Sequence, residues 1–535
     1  MVTRFDLIIK NGIVVDGSGS PPFRADIGIL GDRIWKIGNL AGSEADIVID
    51  AKGLMISPGF IDIHNHSDIS LLELPTADNY VLQGVTTIVI GNCGYSPAPL
   101  TDLNRDEIIR EVKNIHPDVQ ITWSTFNEYL NTLEKTKPSI NVVPLVGHGT
   151  IRSAVLGFAD TVASERDISL MKSLVEEAMR SGAFGISTGL IYVPGMFSDR
   201  KEIIELAKIA AIYQGVYFTH MRNEGVGLVD SVIEALEIGL NAGLGVEISH
   251  LKACGRPNWG KVKTVLDLIS EYAYKGHDVS ADAYPYEAWS TSLTTLLPSD
   301  YRKGSASEIL EKLLNPNAIY DIMNKQSDLA IEEGYISWHD IEISFSLRHK
   351  EWEGMRLSQI AEKLGIDPVE VMVKLLIEDE LLTEIVGFTI SPVDVESVIS
   401  HPLVAIGSDG SIYRKGMGKP HPRSYGTFPR VIAKFVREKK VISLPEAIRK
   451  MTLLPARKLG IWDRGLIRPG FKADLVIFDY YAINDTATYN NPHSYPTGIK
   501  WVIVNGEIVA ENGKVLTSAR PGSVLRKTAQ FLKEL

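Results

Sequence analysis

The sequence predicts an α/β protein in which a TIM-like (β/α)8 barrel is combined with a small β-domain. Eight short apolar segments alternate with amphipathic ones along the middle of the chain. Alternation of this kind implies a parallel sheet, and eight units are enough to close it into a barrel. Both chain ends consist instead of short β-rich runs separated by turn residues. We therefore expect the two ends to pair with each other beside the barrel.

The chain ends carry the signals of short strands joined by tight turns. The predicted strands are Asp6–Val15, Ala25–Leu30, Arg33–Gly38, Asp46–Asp50, Ala473–Asp479 and a hairpin over Trp501–Val515. Asn505 and Gly506 form the tip of that hairpin, and this residue pair is typical of a type I′ turn. The small β-domain is predicted to combine residues 1–57 and 461–518, and residues 519–535 form a C-terminal extension.

The barrel is predicted over residues 58–460. Its strands are predicted at Gly59–His66, Thr86–Cys93, Asn141–His148, Ala183–Thr188, Val216–Arg222, Gly245–Leu251, Asp278–Tyr284 and Leu403–Asp409. Helices are predicted between them, among others at Glu165–Arg180, Lys201–Tyr213, Leu228–Ala242 and Lys261–Tyr274. The interval before the last strand is much longer than the others. It predicts an insertion at about 289–342, of the kind that forms lids or substrate walls.

Composition excludes several classes of protein. The chain has 55 Lys and Arg against 66 Asp and Glu, which gives a net charge of −11 and argues against a nucleic-acid partner. No uncharged apolar run is long enough to span a membrane, and no secretory signal is recognisable. The two cysteines exclude a disulfide framework. We expect a cytoplasmic protein without a membrane partner.

Polar residues follow the predicted strands at the barrel end where chemistry is built. The residues in question are His64, His66, Cys93, His220, His250 and Asp409. His64 and His66 are two apart on one strand, so their imidazoles face the same way. Imidazole nitrogen, thiolate and carboxylate are the ligands that zinc prefers. Because five separate strands contribute them, the sequence predicts a divalent metal site at this rim.

At these residues the sequence resembles the amidohydrolase superfamily. The stretch Pro58–His66 and the segment Gly465–Val476 are similar to that superfamily's opening and closing signatures. Longer blocks resemble the N-acyl-D-amino-acid deacylases, or D-aminoacylases, over nearly the whole chain. These blocks are Gly84–Gly94, Ser187–Gly195, Thr219–Gly225, Ile248–Gly255, Gly407–Gly410 and His421–Arg430. The resemblance implies a metal-dependent barrel beside a β-sandwich made from both chain ends.

The resemblance also implies an activity and a set of roles. The activity is hydrolysis of the amide bond of N-acyl-D-amino acids by metal-activated water. A tight Zn²⁺ would be held by Cys93, His220 and His250. A second, weaker site would be formed by His64 and His66, with Cys93 as a bridge between the two sites. Asp409 would be the catalytic acid/base at the metal. Arg423, Lys252 and Tyr192 would bind the substrate carboxylate and nearby polar groups, and a tyrosine of Asp282–Tyr286 would line the pocket.

Three alternatives stay open at this point. A cyclic amide hydrolase, such as a hydantoinase or dihydroorotase, would need a carboxylated lysine after strand four, and Ala183–Thr188 contains none. Hydrolysis of D-dipeptides on the same metal site is a second alternative. A barrel that serves only protein contacts is the third, and it would be expected to lack some ligands. Substrate side chain, acyl group, metal number and oligomeric state are not determined by the sequence.

Overall fold

The computed structural model describes residues 4–332 and 337–527, and only the backbone of 326–332. Eight parallel strands form the barrel, which confirms the predicted fold class. They are Phe60–Asp62, Val85–Ile90, Asn141–Pro144 continued by Val146–Gly147, Gly185–Gly189, Val216–His220, Gly245–Ile248, Val279–Ala283 and Val404–Ile406. Each strand pairs in parallel with the next along the chain. A parallel bridge between Asn65 and Gly410 joins the first strand to the eighth.

Helices follow the strands and cover the barrel. The helices up to the seventh strand are Ser70–Glu73, Asp78–Val81, Arg105–Ile115, Phe126–Lys135, His148–Leu156, Glu165–Ser181, Arg200–Ile212, Leu228–Ala242 and Lys261–Tyr274. After the insertion come Pro392–Ser400, Arg423–Arg430, a π-helical turn over Val431–Glu438, Leu444–Met451 and Leu453–Leu459. The four helices predicted from the sequence agree with these bounds to within one residue.

The helix Glu165–Ser181 illustrates why these segments are helical. Ser164 and Asp167 form a capping box, which satisfies two backbone N–H groups that the first turn leaves free. The helix ends at Gly182, whose φ of 111° suits a residue without a side chain. Its apolar residues recur at helical spacing and are buried against the barrel: Ile168, Met171, Val175, Ala178 and Met179.

The two chain ends share one nine-stranded sheet that folds around a core of its own. Its strands are Arg4–Val14, Phe23–Leu30, Arg33–Gly38, Glu44–Asp50, Met55–Pro58, Leu475–Phe478, Ile499–Val504, Glu507–Glu511 and Lys514–Val515. Met55–Pro58 joins the halves, since it pairs with Arg4–Val14 on one side and Leu475–Phe478 on the other. Asn505 and Gly506, both with positive φ, form the expected hairpin turn.

The insertion carries a small antiparallel sheet, and it extends further along the chain than the sequence suggested. Its strands are Trp289–Ser292, Ile341–Phe345 and Glu384–Gly387. Its helices are Ser299–Arg302, Ala306–Leu313, Ala318–Glu332, Leu357–Leu364 and Pro368–Glu378. Glu384–Gly387 is the central strand and pairs with both others. The expected end at about 342 is therefore wrong, because the strand that holds this sheet together comes about 40 residues later.

The first part of the predicted C-terminal extension lies along the barrel. Val524 forms a parallel bridge with Val142 of the third strand, and Arg526 donates a hydrogen bond to the carbonyl oxygen of Ser181. Residues 1–3, 333–336 and 528–535 of the predicted domains lie outside the described residues. None of the helices in the described ranges has the length and hydropathy needed to cross a membrane.

Candidate metal centre

The six predicted ligands lie together at the carboxyl-terminal mouth of the barrel. The donor atoms of His64, Cys93, His250 and Asp409 all lie within 4.8 Å of one another. The Nδ1 atom of His220 lies 2.8 Å from Nε2 of His250, and Nε2 of His66 lies 3.0 Å from Oδ1 of Asp409. Five strands thus bring metal-type ligands to one point.

The backbone turns sharply where three of these side chains leave the strands. Cys93, His250 and Asp409 have φ values of 52°, 37° and 51°. This left-handed conformation costs about 1–3 kcal/mol at a residue other than glycine, and residues that adopt it are often found at functional sites. The sequence had suggested that these residues continue their strands. Instead each lies just beyond a strand end, and the turn directs its side chain toward the barrel axis.

The donor set fits zinc. The Sγ atom of Cys93 lies 3.3 Å from Nε2 of His64 and 3.5 Å from Nε2 of His250. Burial alone would raise the pKa of the Cys93 thiol, but the neighbouring imidazoles outweigh it and hold that pKa well below its ordinary value. The thiol is therefore predisposed to the thiolate form that binds metals. Burial lowers the pKa of His220, which keeps its imidazole neutral, as a metal ligand must be.

Asp409 joins the metal donors to a buried cation. Its Oδ1 atom faces His66, and its Oδ2 atom lies 2.8 Å from Nη1 of Arg423. Burial would raise the pKa of Asp409, yet the Arg423 guanidinium and the neighbouring histidines lower it well below the usual range. Asp409 is therefore an ionised carboxylate in a buried position, which is the protonation state that a metal ligand or a proton acceptor needs.

Tyr284, which follows the seventh strand, lies beside two cations. The Arg423 guanidinium lies 4.8 Å from its ring centroid, and Nζ of Lys252 lies 5.9 Å from it. Its hydroxyl is buried and has no hydrogen-bond partner among the described residues. A buried polar atom without a partner is rare and costly, and here it lies next to Lys252 and Arg423, the two cations expected to bind a carboxylate. The sequence singled out the segment that contains Tyr284 but not the residue.

Tyr192 connects the barrel to the insertion. Its ring centroid lies 4.9 Å from that of His220, and its hydroxyl lies 3.0 Å from Oγ1 of Thr291. The insertion therefore forms one wall of the mouth through its first strand. Arg423 contacts the same strand, since its Nη2 donates to the carbonyl oxygen of Ser290 at 3.3 Å.

Two carboxylates behind the histidines were not identified from the sequence. Asp282 lies 3.2 Å from Nδ1 of His64, and Glu224 lies 2.9 Å from Nδ1 of His250. Because each carboxylate is placed to accept a hydrogen bond from Nδ1–H, Nε2 of each ring is left to face the cluster. Both residues lie in segments that resemble the deacylases. Each contacts a histidine that is distant in the sequence, so the sequence did not show the contact.

Asp62 and His148 belong to the framework of the barrel. The Asp62 carboxylate accepts hydrogen bonds from Ser408 and Asn65, and burial raises its pKa to about 6. It thereby joins the first and eighth strands. His148 hydrogen-bonds to Glu202 at 2.7 Å, outside the ligand cluster.

Comparison with known proteins agrees with this architecture. The family model described as "Amidohydrolase family" matches residues 47–211 and 338–510, which is more than half of the chain. The chain belongs to the amidohydrolase family. The gap in the match, 212–337, covers the fifth to seventh strands and the first part of the insertion.

Within that family, this amidohydrolase is similar to deacylases of Alcaligenes xylosoxydans xylosoxydans. It is 35% identical to a D-aminoacylase over 98% of both chains. It is 36% identical to an N-acyl-D-aspartate deacylase over 97% of this chain and 95% of the relative, and 34% identical to an N-acyl-D-glutamate deacylase over 99% and 98%. The resemblance to the D-aminoacylases is thus confirmed.

Solved structures give the same result. A D-aminoacylase with a binuclear metal centre superimposes with a TM-score of 0.83 at 35% identity, covering 98% of this chain and all of the other. The N-acyl-D-glutamate deacylase of Bordetella bronchiseptica, in complex with zinc and a phosphonate mimic of the tetrahedral intermediate, gives 0.82 at 32% identity with the same coverage. The dihydropyrimidinase of Brevibacillus agri, at 14% identity and 0.57, shares the fold.

Proposed function

We propose that this amidohydrolase is a zinc-dependent N-acyl-D-amino-acid deacylase, which releases a carboxylate and a free D-amino acid. One observation carries the proposal: the ionised Asp409 lies between the metal donors and Arg423, 2.8 Å from the guanidinium. A metal site, an acid/base and a carboxylate-binding cation therefore stand in a row. That is the order in which a scissile amide and the carboxylate of its amino acid follow each other along the substrate.

Cys93, His220 and His250 are proposed to hold the tight zinc, and His64 and His66, with Asp409, a second and weaker site. The donors are one thiolate and imidazole nitrogens, a ligand set that zinc accepts once the imidazoles are deprotonated. Bound zinc supplies a water of lowered pKa and polarises a carbonyl oxygen. Asp409 takes the proton of the attacking water at its carboxylate and delivers it to the departing nitrogen.

Arg423, Lys252 and Tyr192 are proposed to bind the substrate's polar groups, and Tyr284 joins them. The planar guanidinium of Arg423 can donate two parallel hydrogen bonds to a carboxylate. Tyr284, whose hydroxyl lacks a partner among the described residues, supplies a further donor between Arg423 and Lys252. Tyr192 borders the mouth beside His220. The D preference is proposed from the similarity to the deacylases, all of which are named for D-amino acids.

A cyclic amide hydrolase is not proposed. The fourth strand, Gly185–Gly189, has no lysine that could bridge two metals, and the similarity to solved hydantoinases lies at 14–16% identity, which shows the fold alone. Hydrolysis of D-dipeptides on the same site remains as a variant of the proposal. Action in the cytoplasm is proposed because the chain has two cysteines, Cys93 and Cys254, and no disulfide framework can support its fold.

The test is turnover on a panel of substrates, with metal content measured on the same sample. N-acetyl-D-methionine, N-acetyl-L-methionine, D-alanyl-D-alanine and hydantoin separate the activities named above. We expect release of D-methionine and acetate from the first substrate, and bound zinc in the active protein. Cleavage of hydantoin without cleavage of either acyl amino acid would overturn the proposal. Cleavage of the L-substrate alone would overturn its stereochemistry.

A further inference from the structure

Glu224 occupies a buried position behind the proposed tight metal site. It follows the fifth barrel strand, and its side chain is 10% exposed. The backbone N–H of Cys254, just past the sixth strand, donates to its carbonyl oxygen at 2.8 Å. Glu224 thereby ties the loop after the fifth strand, which follows His220, to the loop after the sixth strand, which contains His250.

The carboxylate of Glu224 faces the outer nitrogens of both histidines. Its Oε1 atom lies 2.9 Å from Nδ1 of His250, and its Oε2 atom lies 3.9 Å from Nε2 of His220. The inner nitrogens, Nε2 of His250 and Nδ1 of His220, lie 2.8 Å apart, with Nε2 of His250 also 3.5 Å from Sγ of Cys93. The Nε2 atom of His220 is buried and makes no hydrogen bond within the described residues. The Glu224 carboxylate therefore faces both rings, within hydrogen-bond distance of His250 and 3.9 Å from His220.

Lys252 neutralises this carboxylate. Its Nζ atom lies 2.6 Å from Oε1 of Glu224, and its side chain is 7% exposed. A buried carboxylate without a cation would be costly, and the pair also fixes the position of Lys252. Nζ of Lys252 also lies 2.9 Å from Nδ1 of His250. The residue expected to bind the substrate is thus connected to this metal ligand both directly and through Glu224.

We infer that Glu224 is the positioning residue of the tight metal site, which sets the protonated nitrogen and the ring orientation of His220 and His250. Histidine ligands commonly donate their second N–H to a carboxylate, and removal of that acceptor typically weakens metal affinity by about 10–100-fold. Asp282 holds the same position behind His64, at 3.2 Å from its Nδ1. The inference rests on the proposed zinc site but not on the identity of the substrate.

The experiment measures zinc affinity directly, by competition between the metal-free protein and a chromophoric chelator. Glu224→Gln removes the charge and keeps the shape. Glu234→Gln is the matched control, since Glu234 follows the same strand but pairs with Arg222. We expect Glu224→Gln to bind Zn²⁺ about 10–100-fold more weakly than the wild type, and Glu234→Gln to bind it equally well. Unchanged zinc affinity in Glu224→Gln would overturn the inference.

Two further measurements separate positioning from a general structural role. The absorption spectrum of the Co²⁺-loaded protein reports the geometry of the ligands, so it should shift in Glu224→Gln and not in Glu234→Gln. A residue needed only for folding would lower the unfolding midpoint of the zinc-free protein and leave the zinc affinity as it was, which contradicts the inference. If Glu224→Gln does not fold, Glu224→Asp takes its place under the same criteria. A wild type that binds no zinc would overturn the proposed function as well.

Discussion

Arg423 and Asp409 form an ion pair at the mouth of the barrel, with Nη1 of the arginine 2.8 Å from Oδ2 of the aspartate. The other oxygen of Asp409 faces His66 at 3.0 Å. One carboxylate therefore contacts both the residues proposed to bind metal and the residue proposed to bind substrate. A substrate carboxylate that reaches Arg423 enters next to the acid/base, and this proximity positions the amide for reaction.

Asp409→Asn should separate metal binding from turnover. The asparagine amide keeps the size of the side chain but cannot accept the proton of water. We therefore expect the tight zinc site, which Asp409 does not hold, to be filled as in the wild type, and kcat to be lower by several orders of magnitude. Steady-state kinetics and metal analysis on one sample check this. Asp230→Asn, which changes an aspartate in the first turn of the helix Leu228–Ala242, is the control. A normal rate in Asp409→Asn contradicts the acid/base assignment.

Arg423→Ala should mainly weaken the binding of substrates that carry a carboxylate. Loss of a charge-assisted, bidentate partner costs about 1.5–3 kcal/mol, or about 10–150-fold in kcat/KM. The comparison is between N-acetyl-D-methionine and its carboxamide, on wild type and variant. We expect the wild type to prefer the acid strongly and the variant to lose that preference. An equal loss on both substrates would mean that Arg423 acts through Asp409 instead.

The barrel and most of its site could be predicted because their signals are local. Short apolar runs mark the strands, and the polar residues that follow them mark one rim. The exact course of the chain at that rim could not be predicted. Cys93, His250 and Asp409 have positive φ values. This backbone conformation is uncommon for residues other than glycine, so the sequence does not predict it here.

What the sequence did not reveal depends on distant contacts. The insertion's central strand, Glu384–Gly387, pairs with Trp289–Ser292, about 95 residues earlier in the chain. The helices between them have the same amphipathic pattern as barrel helices, so the pattern alone does not separate the two. Glu224 was missed for the same reason, since it meets His250 from another strand's loop.

Removal of the metal should affect stability as well as activity. A metal held by Cys93, His220 and His250 would stabilise the folded state, because these three donors come together only in that state. A ligand present at about 1,000 times its Kd stabilises the native state by about 4 kcal/mol. We expect chelation to abolish turnover and lower the unfolding midpoint, and added Zn²⁺ to restore both.

The two cysteines provide a matched pair for this test. Cys93→Ser should lose zinc and show no change of its unfolding midpoint on zinc addition. Cys254→Ser should retain both responses, because Cys254 is not among the ligands and a serine hydroxyl can still donate to Oε2 of Glu224, which Sγ of Cys254 approaches at 4.0 Å. Equal zinc content in both variants would contradict the role of Cys93. Differential scanning calorimetry with and without zinc supplies the measurement.

Lys450, which is not among the proposed metal ligands, should make the stability of the protein depend on pH. Its side chain is fully buried, and its Nζ donates to the carbonyl oxygens of His401 and Val404. Burial lowers its pKa to about 7, against about 10.4 in the unfolded chain. Between these values the unfolded state holds a proton that the folded state has released. The free energy of unfolding should therefore rise with pH across this window, by up to about 1.4 kcal/mol per pH unit.

Lys450→Met removes the titrating group and keeps an unbranched side chain in the cavity. We expect the slope of unfolding free energy against pH to be smaller in the variant between about pH 7 and 10. Lys263→Met is the control, because Lys263 is exposed on a barrel helix and its charge stays in water in both states. Urea unfolding at several pH values gives the slopes. If wild type and Lys450→Met have parallel curves, Lys450 is protonated in the folded protein, and its buried charge is stabilised by the carbonyl oxygens alone.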